Sequence, residues 1–172
     1  VAHVILGLLL LAPQSLYDLI KSFEAGVSLF YSVSSGSIKR ALDGLLADGH
    51  IEVASTDGAR GRKVYRVTDS GREAFRRWMT GEPTGDAETA ALSRLYLLGL
   101  LPADDRATVL RRIGQRLEAE LQELERLADR LAEIEIPEHQ RDIATYQLAT
   151  LEYGLSAHRH AATFFRDLLD KE

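Results

Sequence analysis

Residues 34–68 read SSGSIKRALDGLLADGHIEVASTDGARGRKVYRVT, and the pattern along them changes period. Over 34–48, Ile38, Leu42, Leu45 and Leu46 share one face at helical spacing, which predicts a short amphipathic helix with Ser35, Ser37, Lys39, Arg40 and Asp43 on its other faces. Gly49 is placed to end that helix in a left-handed conformation. Ile51-Glu52-Val53 and Val64-Tyr65-Arg66-Val67 then supply β-branched and aromatic runs on either side of the basic loop Gly58-Ala59-Arg60-Gly61-Arg62-Lys63. A polar-faced helix followed by a hairpin with a basic tip is the order of a winged helix-turn-helix, and such a tip suits phosphates.

Toward the N-terminus, residues 4–11 form an apolar run closed by Ala12-Pro13, and Ser15 reads as the N-cap of a second helix over 16–24 that Gly26 ends. Phe30 and Tyr31, in the connector to the third helix, read as core anchors rather than base-stacking residues. After the hairpin, Thr68-Asp69-Ser70-Gly71 opens a helix that reaches Trp78, with Ala74, Phe75, Trp78 and Met79 on one face. Residues 80–86 concentrate glycine, proline and small polar residues, as a linker does. The expected fold is mainly α: a winged helix-turn-helix domain over 1–80, a linker over 81–87, and an all-helical, coiled-coil-like dimerisation domain over 88–172.

That second domain reads as three helical segments, 88–101, 104–134 and 138–169, separated at Pro102 and Pro137. In the middle one Leu110, Ile113, Leu117, Leu124, Leu127, Leu131 and Ile134 follow an alternating three-four spacing. The last carries Leu148, Leu151, Leu155 and Phe165 on a similar stripe. So much apolar surface on long helices predicts a homodimer, with Leu110, Ile113, Leu117, Leu124, Leu131, Leu151, Leu155 and Phe165 at its seam.

Composition bounds the function. At 172 residues, 45% hydrophobic and 27% charged, the chain can bury a core unaided. It has no cysteine, which excludes disulfides, thiolate metal sites and cysteine nucleophiles. The apolar start is too short to span a bilayer and has no basic leader, so a cytoplasmic protein with no membrane partner is expected. The net charge of −5 is unevenly spread: residues 1–80 carry 10 Lys and Arg against 8 Asp and Glu, and residues 81–172 carry 11 against 18. An acidic second half belongs away from DNA, and binding must rest on where individual cations sit. Seventeen arginines against four lysines is the usage of a bacterial genome rich in G·C. His158 and His160 lie on different faces of a helix, unlike paired metal ligands at i, i+4. Without a glycine-rich phosphate loop, nucleophile elbow or zinc motif, no catalytic residue, metal or cofactor is expected.

The chain resembles the PadR family of transcriptional regulators, in the branch whose C-terminal domain is like that of the virulence-activator alpha proteins. The resemblance is carried by Ile5-Leu6-Gly7-Leu8-Leu9, Tyr17-Asp18-Leu19-Ile20, Ser35-Gly36-Ser37-Ile38, residues 45–51, and above all residues 61–72, GRKVYRVTDSGR. Leu95-Tyr96-Leu97-Leu98, Leu151-Glu152-Tyr153-Gly154 and Phe164-Phe165 carry it through the second half. The resemblance implies a homodimer that sets two recognition helices in successive major grooves and two wings on the flanking DNA, repressing or modulating a nearby promoter. It also implies that a small aromatic ligand releases the DNA. The family usually has a tyrosine after the Ile38 position and often a proline next; this chain has Lys39 and Arg40 instead.

The DNA-binding residues expected from this reading are Ser35, Ser37, Lys39 and Arg40 at the start of the recognition helix, with Ser34 as its cap, and Arg60, Arg62 and Lys63 on the wing. Trp78, Tyr96, Tyr146 and Tyr153 are candidate lining for an aromatic-ligand cavity between the two domains, against the commoner reading of such aromatics as core. The alternative is an adaptor that uses the winged helix to bind another protein. Salt-sensitive, sequence-preferring binding of double-stranded DNA separates the two, because an adaptor shows neither.

Overall fold

The N-terminal apolar run forms α1 (Ala2–Leu11), a helix buried on all sides through Val4, Ile5, Leu6, Leu8 and Leu9, as a uniformly hydrophobic helix must be. The computed structural model describes residues 1–57 and 61–172. Pro13 and Gln14 lead into a two-residue strand, β1 (Gln14–Ser15), and then α2 (Leu16–Ala25). Ser15 serves both elements: it pairs with Val64 across the sheet and caps α2. After a 3₁₀ turn at Val27–Leu29 comes α3 (Ser35–Ala47), followed by β2 (Ile51–Asp57), β3 (Arg62–Val67) and α4 (Asp69–Thr80). The three strands form one antiparallel sheet in the order β1-β3-β2, with an irregularity in register between Val53 and Ser55. This is a winged helix, with β2 and β3 as the wing.

Two junctions fix α3 against its neighbours. Gly49 takes φ +70 and ends the helix region in the left-handed conformation that its position suggested. Thr68 caps α4 by accepting the Gly71 N–H at 3.2 Å and donates its hydroxyl to the Gly49 carbonyl at 2.7 Å. A side chain at Gly71 would collide with the His50 carbonyl, so the start of α4 lies in direct backbone contact with the turn between α3 and β2. Ile38 and Leu42 of α3 join Ile5, Leu6, Leu19, Ile51 and Met79 among the fully buried side chains. Burial of such a side chain stabilises by roughly 1.5–3 kcal/mol, and it holds the opposite, polar face of α3 outward.

Beyond the wing module lie α5 (Ala87–Leu97), α6 (Ala103–Ala132) and α7 (Arg141–Leu169). Packing divides the chain into two compact units, Val1–Val109 and Leu110–Glu172. The first runs past the glycine- and proline-bearing stretch at 81–87, because α5 packs on α1: Gly7 leaves room for the Leu97 side chain and the Phe75 ring. In the second unit α6 and α7 run antiparallel. Arg166 Nη2 meets Glu118 at 2.7 Å and Arg159 Nη2 meets Glu125 at 3.3 Å, while Gly154 admits the Leu124 side chain.

The positions expected at a dimer seam are mostly occupied already. Leu110, Ile113, Leu117, Leu155 and Phe165 are each 0–4% exposed within the single chain, and Leu124, Leu131 and Leu151 are half-buried. The physical reason is that long helices joined by a short turn fold back and cover their own apolar stripes before a second copy arrives. A different stripe on α7 stays in solvent: Ile143, Tyr146, Tyr153 and Phe164 are 63, 76, 77 and 45% exposed. Among the described residues, no helix is long and apolar enough to cross a membrane.

Candidate nucleic-acid interface

The start of α3 is built by serines. The Ser34 hydroxyl accepts the Ser37 N–H at 3.2 Å and lies 3.1 Å from the Ser37 hydroxyl, which also accepts Arg40 Nη2 at 3.2 Å. Ser34 is thus the cap, and Ser35, Lys39 and Arg40 stand exposed on the first turns with Ser37 half-buried beside them. Lys39 donates to Asp43 Oδ2 at 2.6 Å, one turn along, and that hydrogen bond raises the ammonium's pKa. The pair is exposed on both sides, and such a solvated i, i+4 pair contributes little. Lys39 can therefore exchange Asp43 for a phosphate at little cost.

The wing presents Arg62 and Lys63 on β3, both exposed. Gly61, at φ +62, turns the chain into the strand. Arg60 lies outside the described residues. Arg62 is engaged within the protein: its Nη2 donates to both Asp18 oxygens, at 2.8 and 2.6 Å. Asp18 also accepts the backbone N–H and the hydroxyl of Ser15, so hydrogen bonds from Ser15 and then the Arg62 guanidinium hold its carboxyl below the ordinary value. Lys63 has no hydrogen-bond or ion-pair partner among the described residues. Arg66 faces Glu52 across the sheet, Nε to Oε1 at 2.6 Å, an exposed cross-strand pair. Between α2 and β3 runs an open groove lined by Ser15, Tyr17, Ile20, Arg62, Lys63 and Tyr65. Tyr17 on its edge is 64% exposed, with the Lys21 ammonium 5.7 Å from its ring.

The sequence marks the α3 residues and the wing cations, but nothing in it marks Asp18 as a partner of the wing. The available signal was the Ser15-x-x-Asp18 capping pattern; nothing in it foretells a third ligand from residue 62.

A second feature of the first unit is a cleft of about 390 Å³ lined by His3, Trp78, Asp86, Thr89, Ser93 and Arg94, among others. The His3 and Trp78 rings stack at 5.1 Å and 3°, and the Arg94 guanidinium lies 4.7 Å from the Trp78 ring centroid. Arg94 is 2% exposed, and burial lowers its pKa. It donates to the carbonyls of Ala90 and Trp78 at 3.2 and 3.1 Å, while its Nε has no hydrogen-bond partner among the described residues. Of the four expected lining aromatics only Trp78 belongs to this cleft. Tyr96 packs on Phe30, ring centroids 5.7 Å apart, and Tyr146 and Tyr153 stand exposed on α7. Arg94 was missed because it sits in an apolar helix, where a lone arginine reads as a solvated charge.

Residues 5–77 match the family model of the transcriptional regulator PadR-like family, and residues 90–171 match that of the virulence activator alpha C-terminal domain. Among solved structures the chain is similar to Bacillus subtilis PadR in complex with operator DNA, at 20% identity over 99% of this chain and 97% of that one, TM-score 0.43. It is similar to the same regulator in complex with p-coumaric acid, at 21% identity over 98 and 92%, TM-score 0.41. It is also similar to the Vibrio cholerae virulence activator AphA, at 20% identity over 99% of this chain and 96% of that one, TM-score 0.42. No curated protein sequence matches it.

Proposed function

We propose, from the PadR-like domain matched over residues 5–77 and the virulence activator alpha C-terminal domain matched over residues 90–171, that the chain is a transcriptional regulator, a cytoplasmic homodimeric repressor that reads a pseudo-palindromic operator with Ser35, Ser37, Lys39 and Arg40. One observation carries the reading. The buried Ile38 and Leu42 turn the first two turns of α3 outward, and the exposed cations there are joined by Arg62 and Lys63 on the wing of the same unit. The free N–H groups at the start of α3 favour a phosphate, Arg40 has the fork geometry for guanine O6 and N7, and the wing cations suit the sugar-phosphate backbone. Dimerisation through the exposed Ile143, Tyr146, Tyr153 and Phe164 stripe would cover the largest apolar residues left on α7. Anisotropy titration of a labelled duplex across a salt series tests the proposal. Affinity falling steeply with salt, and ranking duplexes by sequence, is the expected result; salt-independent binding contradicts it.

The cleft beside Trp78 is the proposed place for a small aromatic effector. Its volume is within the range of ligand sites, and one wall is an indole. Trp78 is the only tryptophan, so its fluorescence reports on the cleft directly. Titration with phenolic compounds is expected to quench it and to release bound duplex; a panel that changes neither would leave DNA binding without an effector here.

A further inference from the structure

A single carboxylate joins the wing to α2. Asp18 Oδ2 accepts the Ser15 backbone N–H at 3.0 Å, which is all that a capping box asks of it, and also the Ser15 hydroxyl at 2.7 Å. The same carboxylate takes Arg62 Nη2 on both oxygens, across 44 residues of sequence. Ser15 cannot follow a displaced Asp18, because it is 2% exposed and paired with Val64 in the sheet. The Asp18 carboxylate is therefore anchored on a buried residue at one side and holds a guanidinium that is 55% exposed at the other. Only Nη2 of Arg62 is engaged; Nε and Nη1 have no partner among the described residues.

We infer that Asp18 is a positioning residue of the DNA interface: it clamps Arg62 by one nitrogen so that the remaining N–H groups of the guanidinium are held ready for a backbone phosphate. The inference rests on the DNA-binding reading of the wing. Arginine has five N–H donors in a rigid fork, so a carboxylate on one edge leaves the others usable and removes the freedom of a long side chain before DNA arrives. Without the clamp that freedom is lost only on binding, which weakens the contact.

Charge alone makes the opposite prediction, and this allows a test. Asp18→Asn removes a negative charge from a surface that approaches DNA, which by itself tightens binding. The full-length chain, Asp18→Asn, Arg62→Gln and the double variant are titrated with a labelled operator duplex across a salt series, with thermal melts alongside. Asp18→Asn is expected to bind about tenfold more weakly, as the loss of one charge-assisted hydrogen bond would give. Both single variants should lower the salt slope by about one, and the double variant should bind no more weakly than either. A merely structural cap would leave the salt slope alone and make the two losses multiply. Asp18→Asn binding as tightly as the wild type, or multiplying losses, overturns the inference. Arg62→Gln leaves the cap untouched, so its slope decides the matter even if Asp18→Asn folds poorly: an unchanged slope overturns it. A wild-type chain with no salt-dependent binding would overturn the DNA reading itself, and this inference with it.

Discussion

Arg40 and Arg62 carry the same charge in different settings, and the proposed DNA binding gives them different tasks. Arg40 rests on the Ser37 hydroxyl in the first turns of α3, whereas Arg62 is tethered on the wing by Asp18. Arg40→Ala is expected to relax preference at one operator position by roughly 1–3 kcal/mol, and Arg62→Ala to weaken all duplexes and flatten the salt dependence. Competition binding with cognate and scrambled duplexes checks this; equal losses on both from both variants would contradict the division. Asp18 also sets a pH dependence. Its carboxyl is held below the ordinary 3.8, so in the folded chain it gives up its proton more readily than in the unfolded one. The stabilisation is present above the unfolded value and is lost as pH falls through the folded one. Melts of wild type and Asp18→Asn should thus differ by a constant amount above about pH 5 and begin to converge below about pH 4, as pH falls toward the folded value. A difference that grows on acidification would contradict this. The cations were legible in the sequence because they cluster around glycines. The partner of Arg62 was not, since a capping Asp is normally satisfied within its own helix turn, and the orphaned Nε of Arg94 has no sequence signature at all.

The recognition helix and the hairpin were legible because each has an unambiguous period, 3.6 residues and then 2. β1 was not, since two residues show no alternation and Ser15 already reads as a helix cap. The long helices show where periodicity stops being sufficient. α7 carries two apolar stripes, one through Leu155 and Phe165 and another through Tyr146 and Tyr153, and spacing alone cannot say which is covered within the chain. The structure buries the first. Leu155→Ala should therefore destabilise the fold by roughly 2–5 kcal/mol and lower the melting temperature, because it opens a cavity. Tyr153→Glu should leave a folded chain and shift sedimentation toward the monomer. A Tyr153→Glu protein that stays dimeric would move the interface off this stripe.

At the scale of the molecule the charge is partitioned rather than basic overall, with residues 1–80 close to balanced and residues 81–172 acidic. Affinity must then come from a few placed cations in each copy, and a two-fold dimer doubles them at a spacing set by its geometry. In the proposed two-fold dimer, symmetry in the protein demands symmetry in the site: half-sites about one helical turn apart, or a multiple of it. The linker composition at 81–87 does not mark the boundary between the two compact units, because α5 packs within the first one, which depends on Gly7 admitting Leu97 from ninety residues away in sequence. The measurement that bears most directly on all of this is selection of bound sequences from a randomised duplex pool with the purified protein at moderate salt. A two-fold symmetric motif is the expected result. No enrichment from a folded, dimeric protein would contradict operator reading and favour a winged helix that binds another protein.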